Sequence, residues 1–221
     1  RKFSYRVIFI PETIGAVVFL KKNLNHLKEN LIAGFVLTCV GDDNNYSKVS
    51  SKSGKTFADR ILEKTFKDKK IKFKNYSYLF RGSDERQYCS PGVDLPVCSF
   101  LRTKYGEFKE YHTSNDNLNY ISNKGLNNSF KVMKKLINNI ESSDFYKVNK
   151  HCEPFMTKYN LKRSISGERK LEKKTKLIID LIAFCDGQNS LKDISKILNT
   201  NLNVLKKIIK ILTKLKIIKK L

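Results

Sequence analysis

Apolar and polar positions change rhythm several times along the chain, and each change marks an element. Ser4-Tyr5-Arg6-Val7-Ile8-Phe9-Ile10 reads as a strand, ended by the turn Pro11-Glu12-Thr13-Ile14-Gly15. Val17, Leu20, Leu24 and Leu27 then recur at helical spacing. Residues 31–40 form a nearly unbroken apolar run, the pattern of a strand covered on both faces. Residues 41–55 are rich in Asp, Asn and Ser and read as a loop. A short helix is predicted over 57–66, and strands near 73–80 and over 97–101. A longer helix over 125–140 has Phe130, Met133, Leu136, Ile137 and Ile140 on one face. Strands alternating with helices predict an α/β fold with a mostly parallel sheet. The chain begins at Arg1 and runs straight into its first strand, which predicts the tail of a longer protein and an incomplete sheet.

The rhythm changes again after the second third. Residues 145–159 read as extended and 160–170 as a charged linker. Leu177, Ile178, Leu181, Ile182 and Phe184 define an amphipathic helix stopped at Asp186-Gly187. Ser190, with Asp193 three residues on, has the form of a helix cap and opens a second helix. Leu202, Leu205, Ile208, Ile209, Leu212 and Leu215 define a third, and a short β-branched end follows. Helix, helix, turn, helix, strand is the order of a winged helix. The expected organisation is therefore an α/β domain over 1–159, a linker over 160–170 and a winged-helix domain over 171–221.

Composition narrows the function classes. With 40% hydrophobic residues, 14 Phe and 10 Tyr, the chain can build a core, which excludes disorder. No apolar stretch approaches the roughly 20 residues that span a bilayer, so no membrane partner is expected. The five cysteines lack paired spacing, which favours reduced thiols in a cytoplasmic protein over disulfides or a zinc ribbon. The net charge of +23 invites a nucleic-acid reading. Asn, Lys, Ile, Phe and Tyr are abundant together, however, as AT-rich codon usage would make them. From Lys206 onward there are seven Lys and no acid, which could contact phosphates. That segment has no Arg for bidentate base contacts and no aromatic interleaving, so nucleic acid is an open partner and not the favoured one. A homo-oligomer also stays open.

Three segments carry candidate chemistry. Glu12 closes a strand before a Gly-containing turn, where open α/β sheets place ligands, and could act as a general base on water. On this segment alone the commoner role is a helix N-terminal acid satisfied by the dipole. Arg81-Gly82-Ser83-Asp84-Glu85-Arg86-Gln87-Tyr88-Cys89 is a charged loop before a strand, and Tyr111-His112-Thr113-Ser114-Asn115-Asp116-Asn117 is a loop after it. His112 is a candidate zinc ligand that Asp116 could orient, although a lone loop His is more often a surface residue. His151 beside Cys152 is a weaker metal pair.

These segments resemble the second half of the zinc aminopeptidases with co-catalytic metals. The resemblance is closest to a bacterial branch that pairs an aminopeptidase-like domain with a C-terminal winged helix and is sometimes labelled polysaccharide-biosynthesis-associated. It implies a zinc-exopeptidase-like mixed sheet flanked by helices, followed by the winged helix. In the family's Glu-Glu-x-Gly turn the first Glu is the general base and the second binds metal. Glu12 falls on the first and Thr13 on the second. The family's Tyr-His-Thr supplies a metal-binding His, matched by His112. The Asp that ends a strand in the family falls on Thr38, so that ligand would be Asp42 or Asp43 by a shift. Asp84, Glu85, Arg86 and Tyr88 would line the substrate side, with Arg86 or Arg81 pairing a substrate carboxylate.

The family's remaining His and its bridging Asp lie before the opening strand. The resemblance thus implies zinc and a peptide or aminoacyl substrate in an intact protein, and weak zinc binding without turnover for this chain. Two other readings stand beside it. One is a noncatalytic scaffold, suggested by Thr13 and Thr38. The other is a nucleic-acid module built on the basic winged helix.

Overall fold

The computed structural model describes residues 1–149, 152–161 and 172–221, which pack as two compact units, Arg1–Glu141 and Ser142–Leu221. In the first, α1 (Ile14–Asn30) leads to β1 (Gly34–Leu37), then β2 (Ser47–Val49), α2 (Phe57–Asp68), β3 (Lys74–Tyr76) and α3 (Glu85–Tyr88). The unit closes with β4 (Val97–Leu101) and α4 (Asn123–Glu141). The sheet order is β1-β4-β2-β3. β1 runs parallel to β4 and β2 parallel to β3, while β2 and β4 are antiparallel, so the sheet is mixed.

Several expectations change. Residues 4–10 join no sheet, and Val7 and Phe9 are exposed. The 31–40 run yields only four strand residues, at the sheet's edge and only partly covered. The expected loop 41–55 contains β2, all three residues of which are buried. Its polar look has a physical cause: Lys48 is fully buried, 2.6 Å from Glu63 and 3.4 Å from Asp59 of α2. A strand stabilised by ion pairs carries no hydrophobic alternation to read.

Asp59 also closes a capping box with Thr56 and accepts from the Ser51 N–H at 3.0 Å, so one carboxylate anchors β2, its following loop and α2. Phe66 of α2 stacks on Phe100 of β4, with ring centroids 5.9 Å apart. α4 packs on α2 through Asn139, which donates to Thr65 and Asp68 at 3.0 Å each. Leu136 and Ile140 face the core as expected, joined by Val132, whereas Phe130 and Ile137, expected beside them, are exposed.

The second unit contains β5 (Phe145–Val148), α5 (Lys173–Ala183), β6 (Asp186–Ser190), α6 (Leu191–Ile197), α7 (Leu202–Lys214) and β7 (Ile218–Lys220). Its sheet order is β6-β5-β7, with both pairings antiparallel. The expected boundary near 159 therefore moves to Glu141/Ser142, because β5 is the central strand of this second sheet. The turn expected at Asp186-Gly187 opens β6, with Gly187 at φ 82. Ser190 and Asp193 form the expected capping box. Ile178, Leu181, Ile194, Leu205, Ile209, Leu212 and Ile218 build one core from all three helices and β7. The expected linker lies almost wholly outside the described residues, as does His151. Among the described residues, no helix is long and apolar enough to cross a membrane.

Candidate active site

Parallel pairing of β1 and β4 brings their carboxyl ends to one edge, where open α/β sheets hold ligands. The chain leaves β1 through Thr38 and Cys39, and the Arg102 N–H after β4 donates to the Cys39 carbonyl at 2.9 Å. Cys39 and Tyr111 pack together against Val49, Leu101 and Tyr105.

Glu12 reaches this edge through a strained turn. Thr13 has φ 64 and ψ −68, and the Ile14 N–H donates to the Glu12 carbonyl at 2.7 Å. This is a γ-turn of the rare positive-φ kind, unfavourable for any β-branched residue. Side chains from α3 and its cap hold it in place. Asp84 accepts from the Thr13 N–H at 2.8 Å, and the Arg86 guanidinium donates to the Thr13 hydroxyl. Such strain persists only where its surroundings over-determine it, and it concentrates at functional sites.

The site's electrostatics show which groups share it. Burial raises the Cys39 thiol above its ordinary range; a Thr38 contact opposes this, and the negative charges of Asp116, Asp42 and Glu12 add to it. Burial likewise raises the Tyr111 phenol, with Glu12, Cys39 and Asp116 pushing it up and Arg86 opposing. The charges of Glu12, Asp116 and Arg86 therefore reach Tyr111, and those of Glu12 and Asp116 reach Cys39 as well. Thr13 and Asp84 join them through the turn.

The other expected members take different roles. Asp42 is 2% exposed, and its carboxylate accepts from the Thr103 N–H, the Thr103 hydroxyl and the Asn44 N–H at 2.8 to 2.9 Å. Its carbonyl accepts from Arg102 Nε, also at 2.9 Å. Asp43 pairs with Arg102 at 3.3 Å and Lys124 at 2.7 Å. α4 begins against this loop, and only Gly125 fits, because a Cβ there would strike the carbonyls of Gly41 and Asp42.

Glu85 does not line a substrate surface, since it is fully buried. It accepts from the N–H groups of Gly82 and Ser83 and from the hydroxyls of Ser99 and Tyr105, at 2.7 to 3.1 Å. Burial, followed by the Glu85 charge and hydrogen bond, holds the Tyr105 phenol far above its usual range. Tyr88 is half-buried and packs on the core of Leu20, Leu27 and Leu95. His112 is exposed at φ 58, with its ring stacked on Tyr111 at 4.0 Å. No hydrogen bond joins it to Asp116.

A catalytic zinc needs three protein ligands and an open position. Among the described residues, no three His, Cys, Asp or Glu side chains converge closely enough to hold a metal ion. The saturated Asp42 carboxylate shows why: its oxygens are already committed to Thr103 and Asn44. The described residues do not by themselves fit a zinc centre. Cys39 was the member that sequence reasoning passed over. It lay inside an apolar run, and the only signal was its place just after a strand.

The first unit is a mixed α/β sheet flanked by helices, with charged residues at its carboxyl edge, and the second is a winged helix. Residues 1–143 match a family described as a domain of unknown function (DUF4910), and the chain belongs to that family. Residues 144–220 match a winged helix-turn-helix family. A Clostridium acetobutylicum protein described for polysaccharide biosynthesis, with an aminopeptidase-like domain, is 39% identical over 195 residues. That match covers 88% of this chain and 44% of the relative.

A crystal structure described as a peptidase from C. acetobutylicum superposes with a TM-score of 0.60 at 33% identity, covering 96% of this chain and 47% of the other. The chain thus spans less than half the length of the relatives it matches. An aminopeptidase from Aneurinibacillus sp. strain AM-1 gives 21% identity and a TM-score of 0.45, over 56% of this chain and 29% of that one, too distant to carry an argument.

Proposed function

We propose that this chain supplies the general base and a substrate-anchoring cation of an aminopeptidase-like hydrolase acting on an amide-type bond. The observation that carries this reading is the strained Thr13 turn that follows Glu12, held by Arg86 and Asp84, with the charges of Glu12, Arg86 and Asp116 all reaching Tyr111. Glu12 is exposed and its carboxylate makes no hydrogen bond or ion pair among the described residues, as a base that must accept a proton from water requires. Arg86 pairs with no carboxylate among the described residues, so its guanidinium is available for the carboxylate of a peptide or aminoacyl substrate.

Zinc belongs to this proposal only as a group completed by ligands beyond those the described residues bring together. The chain alone is therefore expected to bind zinc weakly and to lack turnover. Metal analysis after dialysis and an aminoacyl-p-nitroanilide assay test both points. Substoichiometric zinc with no release is expected; stoichiometric zinc or robust cleavage overturns the reading.

One observation favours a second role for the winged helix. Lys206, Lys207, Lys210 and Lys214 on α7 are exposed and pair with no carboxylate among the described residues. Such a face could contact the phosphates of a nucleic acid without reading its bases. Binding to a duplex that weakens steeply with salt and ignores sequence is the expected outcome.

A further inference from the structure

The first unit concentrates positive charge along the sheet edge opposite β1. Residues 67–81 run from the end of α2 through β3, the strand at that edge, and hold six cations: Lys67, Lys69, Lys70, Lys72, Lys74 and Arg81. Six in 15 residues is twice the share in the whole chain, where Lys and Arg make 44 of 221. Codon usage that raises Lys everywhere does not explain that local excess. All six are exposed, and only Lys74 meets a carboxylate among the described residues, Glu107 at 3.3 Å. Asp68, the segment's single acid, is taken up by Lys64 of α2.

Beside these cations two large apolar side chains stand in water. Leu79 is 82% and Phe80 59% exposed, on the short 3-10 turn Tyr78–Phe80 that follows β3. The turn is fixed from both sides. Before it, Phe73 stacks on Phe66 of α2 at 4.5 Å, and Tyr76 meets the Phe80 ring edge-on at 6.1 Å. After it, the Arg81 guanidinium lies 4.6 Å from the centre of the Tyr78 ring. Gly82 packs so tightly on Tyr105 that a Cβ would come within 2.5 Å of that ring, and Tyr105 is itself held by buried Glu85 at 2.7 Å. A fixed turn that keeps two large apolar side chains out of the core marks an interaction surface.

An apolar tip beside cations without carboxylate partners complements a surface that is anionic outside and apolar beneath. We infer that residues 67–81 dock the first unit on a bilayer rich in anionic lipid. The five lysines and Arg81 meet the charged headgroups, each raising the partition roughly fivefold. Leu79 and Phe80 enter the boundary between headgroups and acyl chains. Tyr76 and Tyr78 beside them carry the amphipathic rings that settle at that depth. The sequence expectation of no membrane partner rested on spanning length, and docking on the surface needs no span. A nucleic acid fits this segment less well. Its phosphates would satisfy the cations but leave Leu79, which has no ring to stack on a base, in water. The inference is independent of the hydrolase reading, since it concerns where the unit rests and not what its sheet edge catalyses.

The test mixes the 221-residue chain with vesicles of equal parts phosphatidylcholine and phosphatidylserine, and with vesicles of phosphatidylcholine alone. Cosedimentation with the anionic vesicles only, weakening as salt rises, is expected. The chain has no Trp, so Phe80→Trp places a single indole at the tip, and its emission should shift to the blue on anionic vesicles. Leu79→Ser with Phe80→Ser keeps the charge and should lower the partition about tenfold or more. Lys69→Gln with Lys70→Gln and Lys72→Gln should lower it about a hundredfold. Circular dichroism checks that each variant is folded. Lys206→Gln with Lys210→Gln on α7 should leave the indole shift in place. An indole that does not shift overturns the inference, as does binding that the double Ser variant leaves unchanged. So does capture of a single-stranded oligonucleotide through the same lysines while the vesicles are ignored.

Discussion

Two groups of carboxylates lie within one unit and live in opposite surroundings. Glu85 and Asp42 are buried and saturated with hydrogen bonds, each fixing loops that follow or precede β4. Glu12 and Asp116 are exposed at the sheet's edge, and their carboxylates make no hydrogen bond or ion pair among the described residues. The first group holds the shape, and the second is free to meet a ligand. Residue type is the same in both; the number of donors already satisfied by each oxygen separates them.

The sharpest way to break this contrast is Glu85→Ala. It strands the Gly82, Ser83, Ser99 and Tyr105 donors, and at roughly 1 kcal/mol or more per abandoned group should cost about 4 kcal/mol in denaturant unfolding. A loss below about 1 kcal/mol would remove Glu85 from the structural group. Asp42→Ala comes next, at about 3 kcal/mol, since three donors lose their acceptor. Asp42→Ala that left stability intact while abolishing metal or substrate binding would move this residue to the edge group.

Thr13→Gly should act the other way. It removes the cost of a β-branched residue at φ 64 and loses one hydrogen bond to Arg86, for a net gain of up to about 1 kcal/mol. Destabilisation would show that the Thr13 hydroxyl matters more than the strain. Smallest of all, Glu12→Gln and His112→Ala should each leave stability within about 0.5 kcal/mol, as expected for exposed side chains without hydrogen-bond or ion-pair partners among the described residues. A larger loss would place either residue among the structural set.

Much of the fold was legible where hydrophobic rhythm alone decides it. β4, α2, α4 and the capped α6 appear where spacing and capping residues put them. β2 did not, because Lys48 enters the core on the strength of Glu63 and Asp59, contacts that are distant in sequence and invisible to periodicity. The opening segment carries strand chemistry yet joins no strand among the described residues, since pairing depends on a neighbour and not on propensity.

At the site, motif likeness could not tell one acid from another: Glu12 and Asp116 stay exposed, whereas Glu85 and Asp42 are buried structural acids. Sequence reports that an acid is present at a loop, and burial decides what it does.

β5 separates chain order from spatial order in the second unit. It arrives first in sequence yet lies between β6 and β7, so residues 160–170 join two parts of one small sheet and not two independent bodies. A protease cut in that stretch would leave β5 attached covalently to everything before it and noncovalently to everything after. The two fragments would travel together on a native gel and separate only in denaturant. A winged helix expressed from residue 171 would lack its middle strand, and one begun at Ser142 would keep it.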